Sequence, residues 1–326
     1  MTSRPIPPEV LDAAHARRLA RQAGDWEEAD RLRAAIEAAG WRVVDRGIDF
    51  ALRPAHPPDV SDEHGIRYGA SERVPSRLDE PATALATVVL RAPEDSAALV
   101  RLLDGLRRTA PAGTQVIVVA DAPCEAVAAV LDDRSSPLAT PIGGEPVEVV
   151  RMAGPVGAAA ALNAGIRRAV GEVIIVLDES IEPVGDIVSP LVGALADPSV
   201  AVAGGWGSVS RDARRFTPAP PGEVDVIDGP CLAFRRADYA ARGPLDEHFR
   251  HPHRLDAWWS LVLRDEGPDR PPRRALRLAD LPAAPAAVPV GRPVAPEAAR
   301  ELKRNSYRVS DRFGFRRDLL SGGQRA

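Results

Sequence analysis

Lysine is almost missing from this chain of 326 residues: Lys303 is the only one among 42 basic groups. Schiff-base and other lysine chemistry is therefore nearly excluded. The arginine that replaces it, together with much alanine and proline, reads as GC-rich coding and carries no function. Cysteine is scarce too. Cys124 and Cys231 stand far apart and form no CxxC pair, so a zinc ribbon and a disulfide framework are both out, and the two read as small buried thiols. Only 4% of residues are aromatic, and the formal charge is −4, too small a field to gather nucleic acid or anionic lipid over the whole surface. No stretch approaches the roughly 18 apolar residues of a membrane span, and MTSRPIPPEV has no apolar core of signal-peptide length. A cytoplasmic protein is the expectation.

What is present is a chain that is 45% apolar, large enough for a sizeable core, with 32 prolines that suit connectors. Val10, Leu11, Ala14 and Leu19 recur at helical spacing after Pro7 and Pro8. Gly24 and Asp25 then supply a C-cap and an N-cap, and Trp26, Ala29, Leu32, Ile36 and Ala39 mark a second helix ending at Gly40. Trp41 to Val44 and Asp49 to Leu52 follow as two short strands, so residues 1–53 form a helical hairpin with a strand pair. Residues 54–83 hold five prolines and no periodicity, which predicts a linker or extended arm.

From residue 84 the texture changes. Apolar β-branched runs at 87–90, 115–119, 147–150, 173–177 and 200–203 alternate with helical stretches at 95–108, 125–131, 156–169 and 187–196. Such alternation predicts an α/β domain over 84–268, its mostly parallel sheet covered on both faces. A Pro/Arg-rich connector and a basic amphipathic helical tail occupy 269–326. In an open α/β sheet ligands bind just beyond the strand ends. There stand Asp121 after the second run and Asp178, Glu179 and Ser180 after the fourth. Carboxylates in such places hold a ribose, a base edge or a divalent ion, or else cap turns and helices.

The order of motifs over 86–266 resembles glycosyltransferase family 2, with its Rossmann-like GT-A fold. ATVVLRAPEDSAALVRLLDGL is similar to that family's first strand and helix, and QVIVVADAPCEAV to the strand before its acidic nucleotide-binding turn. GPVGAAAALNAGIRRAVGEVIIVLDES is similar to the glycine-rich helix, the Asn-Ala-Gly and the strand leading to the DxD segment. DPSVAVAGG, VDVIDGPCLAFRRADYAARGPLDEHF and LDAWWSLVLRDEG follow in the family's order. The resemblance implies an inverting transfer of a sugar from a nucleotide-diphosphate donor to a hydroxyl acceptor, with Asp256 as the base. It implies donor contacts at Asp121, Asp178, Glu179, Asn163 and Gly229, and acceptor contacts at Trp258 and Trp259.

Two departures from the family stand out. Ala120 occupies the place of the nucleobase aspartate, with Asp121 one residue on, and Ser180 that of the metal-binding aspartate of DxD. Asp178 and Glu179 are then weak metal ligands, and Mg²⁺ or Mn²⁺ dependence is doubtful; Glu182 is a substitute ligand, and Arg211 or Arg235 a substitute cation for the diphosphate. A degenerate domain acting as a binding module or scaffold is the alternative reading. His248, His251 and His253 lie close in sequence, but Pro252 breaks a helical metal geometry, so a polar acceptor-side loop is expected.

Residues 16–46 resemble the C-terminal helical segment of bacterial cysteinyl-tRNA synthetases, without the catalytic signatures of those enzymes. Arg17, Arg18, Arg21, Arg31 and Arg33 alternate with Asp25, Glu27, Glu28 and Asp30, a pattern of salt-bridged helix surface that suits packing or a protein partner. In the tail, Tyr307, Phe313 and Phe315 stand among Arg304, Arg308, Arg312, Arg316 and Arg317. A helix docked on the core or on a partner's acidic face is expected there; RNA association through hairpin and tail is a third reading, and it requires salt-dependent tRNA retention.

Overall fold

The computed structural model describes residues 5–47, 49–133, 140–286 and 296–321. Parts of the expected 269–326 connector and tail, at 287–295 and 322–326, lie outside the described residues. The chain forms two compact units, 1–59 and 60–326.

In the first unit α1 (Pro8–Ala23) ends at Gly24, whose left-handed φ of 74° suits glycine. Asp25 caps α2 (Trp26–Ala38) by accepting from Glu28 N at 3.1 Å. β1 (Trp41–Arg46) and β2 (Asp49–Pro54) pair antiparallel. Val10, Ala14, Ile36 and Trp41 make the core of this small unit. Arg31 and Arg33 do pair with Glu28 and Glu37 on the exposed helix face, at 2.6 and 2.9 Å. Arg17, expected there too, is instead buried and grips Asp45 with two bonds of 2.8 and 3.2 Å. That contact holds the Asp45 carboxyl below its ordinary range.

The second unit is an α/β body around a ten-stranded sheet. In chain order its elements are β3 (Val60–Asp62), β4 (Gly65–Tyr68), β5 (Ala84–Arg91), α3 (Ser96–Thr109), β6 (Thr114–Ala120), α4 (Glu125–Asp132), β7 (Glu148–Met152) and α5 (Ala158–Ile166). There follow β8 (Gly171–Leu177), β9 (Ile181–Pro183), α6 (Val188–Leu195), β10 (Val200–Gly204), β11 (Gly207–Ser210), β12 (Phe216–Pro218), β13 (Gly222–Val224) and β14 (Val226–Ile227). The chain closes with β15 (Cys231–Arg235), α7 (Arg236–Arg242), α8 (Leu255–Arg264), β16 (Arg274–Arg277), β17 (Ala283–Pro285) and α9 (Pro296–Phe313).

The sheet runs β13-β16-β10-β15-β8-β5-β6-β7-β4-β3. Its centre, β8-β5-β6-β7-β4, is parallel, as the continuous apolar runs predict; every residue of β6 is buried. β15 runs antiparallel to both neighbours, β8 and β10. Residues 54–83, expected as a linker, are in large part built into this body: β4 pairs with β7 through Tyr68↔Met152, and Arg77 N and Thr83 N donate to Arg167 O and Val170 O. Proline there terminates strands rather than freeing the chain.

Alternation along β5 feeds both faces. Val88 and Leu90 join the layer of α3, α4 and α6, while Val89 joins α5, α7, α8 and α9. Gly165 lets α5 lie against the sheet, since a Cβ there would sit 2.6 Å from Val89 Cγ1. The tail docks as expected: Val309, Phe313, Leu319 and Leu320 are fully buried, each worth ~1.5–3 kcal/mol.

Candidate active site

The carboxyl ends of β5, β6 and β8 open into a cleft of about 1090 Å³, closed on its far side by Gly229 and the start of α8. Arg91 to Asp95, Asp121 to Cys124, Asp178 and Glu179 line it from the three strand ends. Two residues other than glycine hold a left-handed backbone beside it, Ala122 (φ 49°) and Arg254 (φ 66°). Such strain persists where surrounding structure enforces it.

Asp256 sits in the first turn of α8. Its Oδ2 accepts from Gly229 N at 2.7 Å and its Oδ1 from Ala257 N at 2.7 Å. Burial, and next the nearby charge of Asp228, push its carboxyl up to about 6. Asp228 is itself raised by burial and accepts from Ser208 Oγ at 2.9 Å. A Cβ at Gly229 would lie 3.2 Å from Asp256 Oδ2, so a larger residue there would shift that carboxylate.

Asp178 lies at the cleft, but its Oδ1 accepts both Ser180 N, at 2.8 Å, and Ser180 Oγ. A divalent cation wants several hard oxygen ligands. Here one carboxylate oxygen is engaged and the neighbouring hydroxyl is spent on it. Among the described residues no three His, Cys, Asp or Glu side chains come together as a metal set. The side chains present do not fit a resident divalent cation. Glu182, the other proposed ligand, faces Arg108 at 3.4 Å instead.

Other expected residues find different duties. Asp121 lines the cleft, yet its buried carboxylate holds the turn before α5 through Val156 N (2.7 Å) and Gly157 N (3.3 Å), and orients Arg91 Nε (3.2 Å). Asn163, expected at the donor, lies outside the cleft. It is buried, donates to Leu245 O and Glu247, and accepts from Leu245 N and Tyr239 OH, all within 3.0 Å. The Asn-Ala-Gly resemblance thus marks an architectural joint, where helix meets sheet. Trp259 does line the cleft, edge-on to Phe234. Trp258 does not: its ring packs on Phe249 and Phe313, with Arg312 4.8 Å from the centroid, so no face is left for a sugar.

Arg235 is no diphosphate ligand, because it caps the end of α6 through Leu195 O, Asp197 O and Val200 O. Arg211 lies exposed outside the cleft. The cationic groups of the cleft wall are Arg91 and Arg101, which inspection of the second and fourth strand ends alone overlooks. Arg91 directly follows the first apolar run, where the same rule would have found it. Cys124 is exposed at the cleft rather than buried; Cys231 is buried. The histidines have separate partners: His248 pairs with Asp246, His251 accepts from His253 N, and His253 faces Ser306.

A family model described as glycosyl transferase family 2 matches residues 88–252, half of the chain. Among solved structures the chain is similar to GalNAc-T7 crystallised with UDP, GalNAc and Mn²⁺, at 15% identity over 70% of this chain and 48% of that one, with a TM-score of 0.52. It is similar to S. aureus TarS 1–349 in complex with UDP, at 14% identity over 74% of this chain and 70% of that one, TM-score 0.50. At such identity the likeness concerns the fold. A stretch of 50 residues, 15% of the chain, is 46% identical to the cysteine–tRNA ligase of Opitutus terrae, and spans only 11% of that ligase.

Proposed function

The chain belongs to glycosyl transferase family 2, and on that premise we propose that residues 84–268 transfer a sugar from a nucleotide-diphosphate donor to a hydroxyl acceptor with inversion. The observation that carries the reading is Asp256, a carboxylate at the cleft wall, anchored by two backbone amides and held up to about 6. Two fixed amides leave a carboxylate able to rotate little, which suits a base that must meet one oxygen from one direction. Asp256 accepts the proton of the acceptor hydroxyl as that oxygen bonds to the anomeric carbon. The bond from that carbon to the diphosphate oxygen breaks on the opposite face, and the nucleoside diphosphate leaves. The relatives crystallised with UDP support a nucleotide on this fold.

The test is release of nucleoside diphosphate from a panel of UDP- and GDP-sugars, with and without mixed cellular acceptors. The wild-type chain releases it and Asp256→Asn does not, while both bind the free nucleotide alike. Equal release by the two proteins removes Asp256 as the base.

A second reading, a binding module on a degenerate transferase domain, is favoured by one observation: Asp121 and one oxygen of Asp178 are already engaged within the fold. It predicts nucleotide or sugar binding without release of product by any donor. A cytoplasmic setting and a protein partner for the 1–53 hairpin are parts of the same proposal. RNA binding keeps part of its basis in the tail, since Phe313 is buried in the body but Tyr307 and Phe315 are exposed among Arg304, Arg312 and Arg317; salt-dependent tRNA retention tests it.

A further inference from the structure

We propose that the cleft holds the diphosphate of its donor on Arg91 and Arg101, with no divalent cation at the Ser180 position. The inference rests on the donor reading above and adds the means by which the diphosphate is neutralised. Leu90 pairs with Leu177 in the parallel β5–β8 ladder, so the next residues, Arg91 and Asp178, stand side by side at the strand ends. Arg91 is therefore next to the place where the resemblance expects the metal.

Its orientation is built rather than accidental. Asp121, buried and fixed by Val156 N and Gly157 N, takes only the Nε of Arg91, at 3.2 Å. The two Nη groups have no hydrogen-bond partner among the described residues, and the side chain is 43% exposed. A guanidinium held by Nε presents its Nη edge to an anion, which suits phosphate oxygens in a forked pair. Arg101, on the second turn of α3, lines the same wall; its one ionic neighbour, Asp95 Oδ2, is 3.8 Å away, beyond hydrogen-bond reach.

The cleft also carries the carboxylates of Glu94, Asp95, Asp121, Asp178, Glu179 and Asp256, so its two arginines act by direct contact and not through net charge. Asp121 is compensated by two amides as well as Arg91, Asp95 caps α3 through Ala97 N, and Asp178 accepts two bonds from Ser180. Glu94 and Glu179 are exposed at the rim, where water screens them. Ser180 in place of an acid removes a negative charge beside Asp178, which favours direct arginine contact over an intervening ion.

Calorimetric titration of the full chain with UDP and GDP, each in EDTA and in excess MnCl₂, tests this. One nucleotide is expected to bind in EDTA with an affinity that Mn²⁺ changes less than about threefold; Arg91→Gln and Arg101→Gln each weaken it about tenfold or more, and leave the weaker binding of the monophosphate unchanged. Arg101→Gln guards against misfolding, since the Arg101 side chain makes no hydrogen bond among the described residues. Ser180→Asp is expected to create dependence on Mn²⁺ that the wild type lacks. Binding seen only with Mn²⁺, or untouched by both arginine variants, overturns the inference and leaves the donor reading standing. No binding of either nucleotide in either buffer overturns the donor reading, and the inference with it.

Discussion

Replacing Asp256 by asparagine is expected to remove a pH-dependent loss of stability while it destroys turnover. The Asp256 carboxyl is pushed up to about 6 by burial, against an ordinary 3.8. A raised value means that the folded state binds the proton more tightly than the unfolded state does. Stability from this group is therefore greatest below the unfolded value, near pH 4, and is lost as pH rises through about 6. A difference of about two pH units at ~1.4 kcal/mol each sets the loss at ~3 kcal/mol, fully present at pH 8. Asparagine does not titrate: its one oxygen accepts from one of the two backbone amides, while its NH₂ faces the N–H of the other, a donor against a donor that costs about 1–3 kcal/mol at every pH. Relative to the wild type, the variant should therefore gain ~2–3 kcal/mol between pH 4 and pH 8. Urea denaturation of the full chain at the two pH values, followed by the fluorescence of Trp258 and Trp259, reads the difference. An equal difference between variant and wild type at both pH values would refute the raised carboxyl.

Three further outcomes follow from the same geometry. Turnover should fall as pH drops through about 6, because the base must be ionised to accept a proton; a flat profile between pH 5 and 8 argues for another base. Gly229→Ala should lower turnover at least ~tenfold with nucleotide affinity unchanged, since the new Cβ meets Asp256 Oδ2 at 3.2 Å and disturbs its amide anchor. Asn163→Ala should cost ~2–4 kcal/mol in urea denaturation, because Tyr239 OH, Leu245 N and Leu245 O lose their buried partner. A neutral Asn163→Ala variant would return that residue to the list of ligand contacts.

The parallel core was legible because its signal is strong. Strands buried on both faces leave continuous β-branched runs, and the helices between them carry their own period, so Thr114–Ala120 and Ser96–Thr109 could be placed within a residue or two. The short edge elements carry no such signal. β4 and β16 owe their place in the sheet to long-range neighbours, and a Pro-rich text such as 54–83 reads alike whether it lies free or packs on a sheet edge. At the site, Asp256 and Gly229 were visible through the order of motifs, and the structure brings them into one hydrogen bond. Asn163 misled because motif resemblance does not distinguish a residue that touches ligand from one that locks a helix in place. Arg91 escapes an inspection confined to the second and fourth strand ends; the ladder that sets it beside Asp178 and the buried carboxylate that aims it are added by the structure.

The most direct test of the account is a crystal structure of the chain grown with UDP or GDP. The account predicts the nucleoside diphosphate in the cleft at the ends of β5, β6 and β8, its phosphates within reach of Arg91 and its open side facing Asp256. A nucleotide bound elsewhere on the molecule, or a cleft that stays empty of nucleotide at saturating concentration, would contradict it.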